Sequence, residues 1–132
     1  MGRFASLEEA REFFKNDRFA ASNGMVLEEV FDGGSVCSLE LGPEHRNALG
    51  GVMGGVIFTL ADFAFAVASN NDHPSTVALD VNIHFFSAPK GGRLTARASC
   101  VKSGRTTAVY EITVTDESGR NVALFIGTGY RL

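Results

Sequence analysis

Apolar residues first recur at helical spacing at Leu7, Ala10, Phe13 and Phe14, behind a Ser6/Glu9 pair of the capping-box type. They predict a short amphipathic helix over residues 7 to about 16, closed by the polar KND that follows. Two strand-like stretches, 25–31 (MVLEEVF) and 35–41 (SVCSLEL), flank DGG and predict a hairpin. After the loop GPEHRNALGG the pattern changes. From Gly54 to about Asn70 nearly every position is apolar, the run is Ala-rich and too long for a strand, and NNDHP closes it. This predicts a central helix over about 54–70, apolar on almost every side, which other structure must wrap. Beyond it, Val77, Leu79, Val81, Ile83 and Phe85 alternate with Ala78, Asp80, Asn82, His84 and Phe86. That is a period of two, and it predicts a strand. After SAPKGG, a strand at 93–102 and the stretches TTAVYEITVT and NVALFIGTGYRL are linked by tight turns, so the pairing should be mostly antiparallel.

The element order predicts an α+β fold in which one antiparallel sheet of five to six strands curls around one buried helix. A chain of 132 residues without repeats or linkers suits a single domain, 1–132. Hydrophobic residues make up 45% and charged residues 20%, with eleven Phe, which favours a packed core over disorder. The net charge of -3 and scattered Lys and Arg give no nucleic-acid surface. Cys37 and Cys100 match no zinc or redox spacing, and the first residues lack the apolar core of a secretion signal, so a reducing, cytoplasmic setting is expected. The apolar run is shorter than the roughly 20 residues of a membrane span, and an Asp at its centre would cost about 3 kcal/mol there. No membrane partner is expected.

That residue, Asp62, is the one charge between Gly50 and Asn70. At 100° per residue, Gly55, Thr59, Asp62, Ala66 and Ser69 fall within roughly 40° of a common line. This small, polar stripe has no use in burying the helix, so a ligand or a second helix should approach it. A carboxylate in apolar surroundings must be paired, hydrogen-bonded or shifted in pKa, and these conditions also equip a base or nucleophile. A structural Asp bonded to Thr59, Ser69 or a backbone group is the competing reading. Gly54 and Gly55 open the helix, where unpaired N–H groups and the positive end of the dipole suit an oxyanion. By itself, such a pair equally marks a tight loop-to-helix junction. Gly54 and Asp62 are about 12 Å apart along one helix, too far to share a reacting atom. Two antiparallel helices would bring them together, which predicts a two-fold homodimer with a shared site.

The run NALGGVMGGVIFTLAD resembles the motif of hotdog-fold acyl-CoA thioesterases of the phenylacetate-degradation (PaaI-like) branch, and the resemblance continues through DVNIHFFSAPKGG, SGR and VALFIGTG. It implies a hotdog fold, assembly as dimers and often dimers of dimers, and hydrolysis of an acyl-CoA thioester with no cofactor, coenzyme A being part of the substrate. Carried over by position, Asn47 would orient the thioester or the attacking water. The Gly54 N–H would polarise the carbonyl, and Asp62 of the partner chain would be base or nucleophile. Gly55 and Ser69 are supporting candidates for substrate binding. Two positions depart from the family pattern: Met53 stands where a His is usual, and Ala78 where a Ser or Thr is usual on the following strand.

Lys90, Arg93, Lys102 and Arg105 lie at or beside turns and are candidates for the coenzyme A phosphates, with ordinary solvated turn charges the alternative. His45 and His84 have no second ligand at useful spacing, so no metal site is expected. Cys100 belongs to the small apolar face of its strand. Phe58, Phe63, Phe65, Phe85 and Phe86 suit an aromatic or medium-chain acyl pocket or the core. Two other functions fit the same fold. One is a non-catalytic acyl-CoA binding protein. The other is an enoyl-CoA hydratase or dehydratase, which would need an Asp and His pair that the helix around Asp62 lacks.

Overall fold

The computed structural model describes residues 2–132. Helix α1 (Leu7–Phe14) begins at Ser6, whose Oγ accepts the Glu9 N–H at 3.1 Å, while Glu9 Oε2 accepts the Ala5 N–H at 3.0 Å. It ends sooner than its apolar pattern suggested because Asp17 caps a second helix, α2 (Arg18–Ser22), accepting the Ala20 N–H at 3.2 Å. The polar KND therefore both stops one helix and starts the next.

Strands β1 (Val26–Phe31) and β2 (Gly34–Glu40) form the expected hairpin around Asp32 and Gly33, the glycine taking the left-handed φ of +78° that the turn requires. Helix α3 (Gly54–Asp72) follows, then β3 (Thr76–Phe85), β4 (Arg93–Ser103), β5 (Thr107–Asp116) and β6 (Asn121–Arg131). All six strands form one antiparallel sheet in the order β1-β2-β4-β5-β6-β3.

Burial of α3 depends on small residues facing it. Leu60, Ala61, Ala64, Phe65, Val67 and Ala68 are buried against a sheet that offers Ala96, Ala98 and Ala108. The Phe65 ring lies over β6, where a Cβ on Gly127 would come within 3.0 Å of it and one on Gly129 within 2.6 Å of the Thr76 methyl. These glycines are space for an aromatic ring. Phe125 packs against both Phe58 and Phe65, with ring centroids at 5.3 and 6.0 Å, so these aromatics belong to the core.

The two sheet edges differ. β1 carries Glu28 and Glu29 and is covered by α1, whose Arg11 Nε donates to the Leu27 carbonyl at 2.7 Å. β3 pairs only with β6, bulges at Leu79, and leaves Val77, Leu79 and Phe85 exposed, Leu79 at 63%. An uncovered apolar edge of this kind invites a further strand or subunit.

Candidate active site

The loop before α3 is a knot built around Asn47. Its N–H donates to Gly51 O at 2.8 Å, its carbonyl accepts from Gly50 N–H at 3.0 Å, and an isolated bridge pairs Arg46 with Val52. The side-chain Oδ1 accepts from Leu49 N–H at 3.0 Å and Gly51 N–H at 3.1 Å. Both of these bonds come from N–H donors, so the amide orientation is fixed and the Nδ2 hydrogens are what the side chain has left to offer. Asn47 is a donor toward anything that enters.

Met53 joins the knot to α3 in an extended conformation (φ −61°, ψ 129°), its N–H on His45 O at 2.9 Å and its carbonyl accepting the Val56 N–H at 3.0 Å. No side chain caps the helix. The first amides of a helix have no acceptor within it, so the Gly54 and Gly55 N–H groups face outward at the positive end of the dipole. The Met53 side chain, 51% exposed, forms none of the bonds that shape the loop. The loop geometry here therefore does not depend on a ring at this position.

A cavity of about 520 Å³ opens at this helix end, lined by Asn47 and Gly54 together with Leu49, Ile57, Phe85 and Phe86. A Cβ on Gly54 would stand at ordinary contact distance, 3.5 Å, from the Phe85 ring, which lies over this helix start. The five phenylalanines weighed from sequence thus divide: Phe85 and Phe86 line the cavity, while Phe58, Phe63 and Phe65 pack in the interior. The far wall of the cavity, Ser87 to Pro89, is anchored by Asp116, whose Oδ2 accepts the Lys90 N–H at 2.9 Å and whose Oδ1 accepts from Ser118 and Arg120. Those bonds, the Ser118 hydroxyl foremost, hold the Asp116 carboxyl far below its ordinary range.

Asp62 does not line this cavity. It is half-buried on α3, and it has no hydrogen-bond or ion-pair partner among the described residues. The residues that would satisfy a structural carboxylate bond elsewhere: Thr59 Oγ1 donates to Gly55 O at 2.7 Å, and Ser69 Oγ to Ala66 O at 3.4 Å. Burial, and secondarily the charge of Asp17, pushes the Asp62 carboxyl up. An unpartnered carboxyl shifted upward has the character of a proton acceptor.

The rest of the predicted set is spread out. Gly55, Thr59, Asp62 and Ala66 stay at least partly open as a stripe, but Ser69, only 1% exposed, is buried within the chain and leaves it. The spacing put Ser69 on the line; in the closing turn of α3 its carbonyl accepts the His73 N–H and the residue is buried. Ala78 is exposed near the start of β3, opposite Gly129 and at the other end of the strand from Phe85. Lys90 follows the cavity wall with its side chain exposed. Arg93 is committed to Glu40 at 2.6 Å and Glu28 at 2.7 Å. Lys102 and Arg105 lie at the β4–β5 turn, at the end of the sheet away from Gly54 in the same chain. His45 is buried and fully hydrogen-bonded. Among the described residues, no three His, Cys, Asp or Glu cluster as a metal site would require, and no helix is long and apolar enough to cross a membrane.

Residues 49–123 match the Thioesterase superfamily. The chain is 36% identical to a putative esterase of Archaeoglobus fulgidus, over 90% of this chain and 78% of that one. It is 31% identical to the acyl-coenzyme A thioesterase PaaI of Escherichia coli, over 95% and 90% of the two chains. The solved structure of the E. coli PaaI protein from the phenylacetic acid degradation operon superposes with a TM-score of 0.89, covering 95% of this chain and 91% of that one at 31% identity. A sheet wrapped on one long helix is the hotdog frame that the chain shares with these thioesterases. The chain belongs to the thioesterase superfamily, in its PaaI-like group.

Proposed function

We propose that the protein hydrolyses an acyl-CoA thioester to the free acid and coenzyme A, in a site shared between two copies of the chain. The observation that carries this reading is the division of the chemistry: Gly54 and Asn47 meet in one cavity, while Asp62, unpartnered and shifted upward, is on an open stripe outside it. Within one chain the oxyanion donors and the base are separated by about 12 Å of helix. Packing the stripe of one α3 against that of a second, antiparallel copy joins the donors of each chain to the base of the other. The bare β3 edge gives such a dimer a second contact.

In this site the thioester carbonyl oxygen takes hydrogen bonds from the Gly54 N–H and the Asn47 Nδ2–H. Asp62 of the partner subunit removes a proton from water as the water oxygen bonds to the carbonyl carbon. The negative charge that gathers on the carbonyl oxygen is held by donors that need no reorganisation. Collapse of the tetrahedral intermediate breaks the C–S bond, and the proton held by Asp62 goes to the departing sulfur. Phe85 and Phe86 give this end of the site an apolar wall, beside which those dipoles act more strongly than in open water. Lys90, beside the cavity wall, is the cation best placed in this chain for a coenzyme A phosphate, and Arg105 would have to come from the partner.

Thiol release measured over aromatic and aliphatic acyl-CoAs tests the reading. Cleavage of at least one class by the unaltered protein, with turnover lost in Asp62→Asn, is the expected result. Tight binding of the same esters without thiol release would instead make the protein a binding module.

A further inference from the structure

His45 is 3% exposed, and both ring nitrogens are engaged. Nδ1 accepts the Gly42 N–H at 2.9 Å, so the ring proton is on Nε2, which donates to the Asn23 carbonyl at 2.9 Å. The first bond is local, within the 3-10 turn Pro43–His45 and its lead-in. The second crosses to the junction between α2 and β1, so it ties the loop to a different part of the fold. The His45 carbonyl meanwhile accepts the Met53 N–H at the base of the knot that holds Asn47.

The knot is braced internally by the Asn47, Gly50 and Gly51 bonds. Its position relative to the rest of the molecule depends on α3 and the packing of Val52 on the core at one end, on the Leu41 N–H to Gly92 O bond (2.8 Å) at the other, and on the His45 ring between them. Without the ring, the knot keeps its shape but gains freedom to pivot on residues 42–44 and Met53. That motion would carry the Asn47 amide away from the Gly54 N–H.

We propose that His45 is a positioning residue for the hydrolysis: its Nε2–H clamp on Asn23 sets the Asn47 amide and the Gly54 N–H at the spacing at which both meet one oxyanion. The role rests on the function proposed above. His45 touches no reacting atom in this account. It acts through Asn47, and its effect is on the transition state, where misplacement of a donor by about 1 Å costs up to about 10²-fold.

Steady-state kinetics of three variants on an acyl-CoA that the unaltered protein cleaves, with circular dichroism as a check on folding, test this. His45→Gln extends an amide N–H to the Nε2 position and keeps the Asn23 bond; His45→Asn puts its oxygen at the Nδ1 position and keeps only the Gly42 bond; His45→Ala keeps neither. Expected are a fall in kcat of about tenfold or more for Ala and Asn with KM within about twofold, and a Gln variant within about threefold of the unaltered kcat. An unaltered kcat in the Ala variant, a loss carried by KM alone, or an Asn variant faster than Gln would overturn the role. If the Ala variant does not fold, the order of Gln and Asn decides. Absence of thiol release by the unaltered protein on any acyl-CoA would overturn the functional reading, and this role with it.

Discussion

At the scale of single residues, Asp62 should cost the fold stability in exchange for chemistry. Its carboxyl is raised mainly by burial, so the folded chain holds the proton more tightly than the unfolded one. Stability from this group is then greatest in acid and declines as pH rises through the window above the ordinary carboxylate value of about 4. Asp62→Asn, which carries no charge to desolvate, should lower kcat by about 10²- to 10⁴-fold and raise Tm near neutral pH by a few degrees. The gain should shrink as the melt is repeated below about pH 4. A lower Tm at neutral pH would show that the carboxylate is held by favourable bonds instead. Asn47→Asp keeps the Oδ1 that organises the loop and removes the donor, so kcat should fall by about 10²- to 10³-fold while circular dichroism and Tm stay close to the parent. Met53→His should leave Tm nearly unchanged, because the loop bonds at this position are all main-chain. A large loss of stability would contradict that.

At the scale of elements, β6 and the wall of the cavity carry the clearest consequences. Gly127→Val would drive a side chain into Phe65 and Phe125, and overpacking of this kind costs about 1–3 kcal/mol, measurable by urea unfolding. Asp116 behaves oppositely to Asp62. Its carboxyl is held low by the Ser118 hydroxyl and by main-chain N–H groups, so its contribution is present above about pH 4 and is lost as pH falls. Asp116→Ala should lower Tm at neutral pH, and the deficit should narrow in acid.

The element order, the hairpin at DGG and the buried helix were legible because each is a local signal of period, turn or length. The first helix was read too long because Leu7, Ala10, Phe13 and Phe14 give its face but not its end, which the Asp17 cap decides. The order of strands was not legible, since β3 joins β6 across the whole sheet and no local pattern records that pairing. In the site, Gly54 and Asp62 were marked by type and spacing and Asn47 by the family resemblance, whereas the burial of Ser69 was not legible because a helical wheel knows nothing of what packs on its last turn. The roles of His45 and Asp116 depend on partners 22 and 26 residues away, and nothing adjacent to them in sequence announces those bonds.

At the scale of the whole molecule, the proposed mechanism gives one chain two half-sites and no complete one. The small-residue stripe on α3, the uncovered β3 edge and the separation of Gly54 from Asp62 all have one explanation in a two-fold pair. Sedimentation should therefore find no active monomer, and a charge placed at Leu79 on the bare edge should weaken the pair and lower activity in proportion. The most direct test is complementation. Asp62→Asn and Asn47→Asp, each inactive alone, are co-expressed with different tags and the mixed species is assayed for thiol release. In a mixed dimer one site carries both substitutions and the other carries neither, so the isolated mixed species should show about half of the unaltered activity, and the unfractionated random population about one quarter. Activity no higher than that of either variant alone, in a preparation shown to contain mixed dimers, would contradict the shared site.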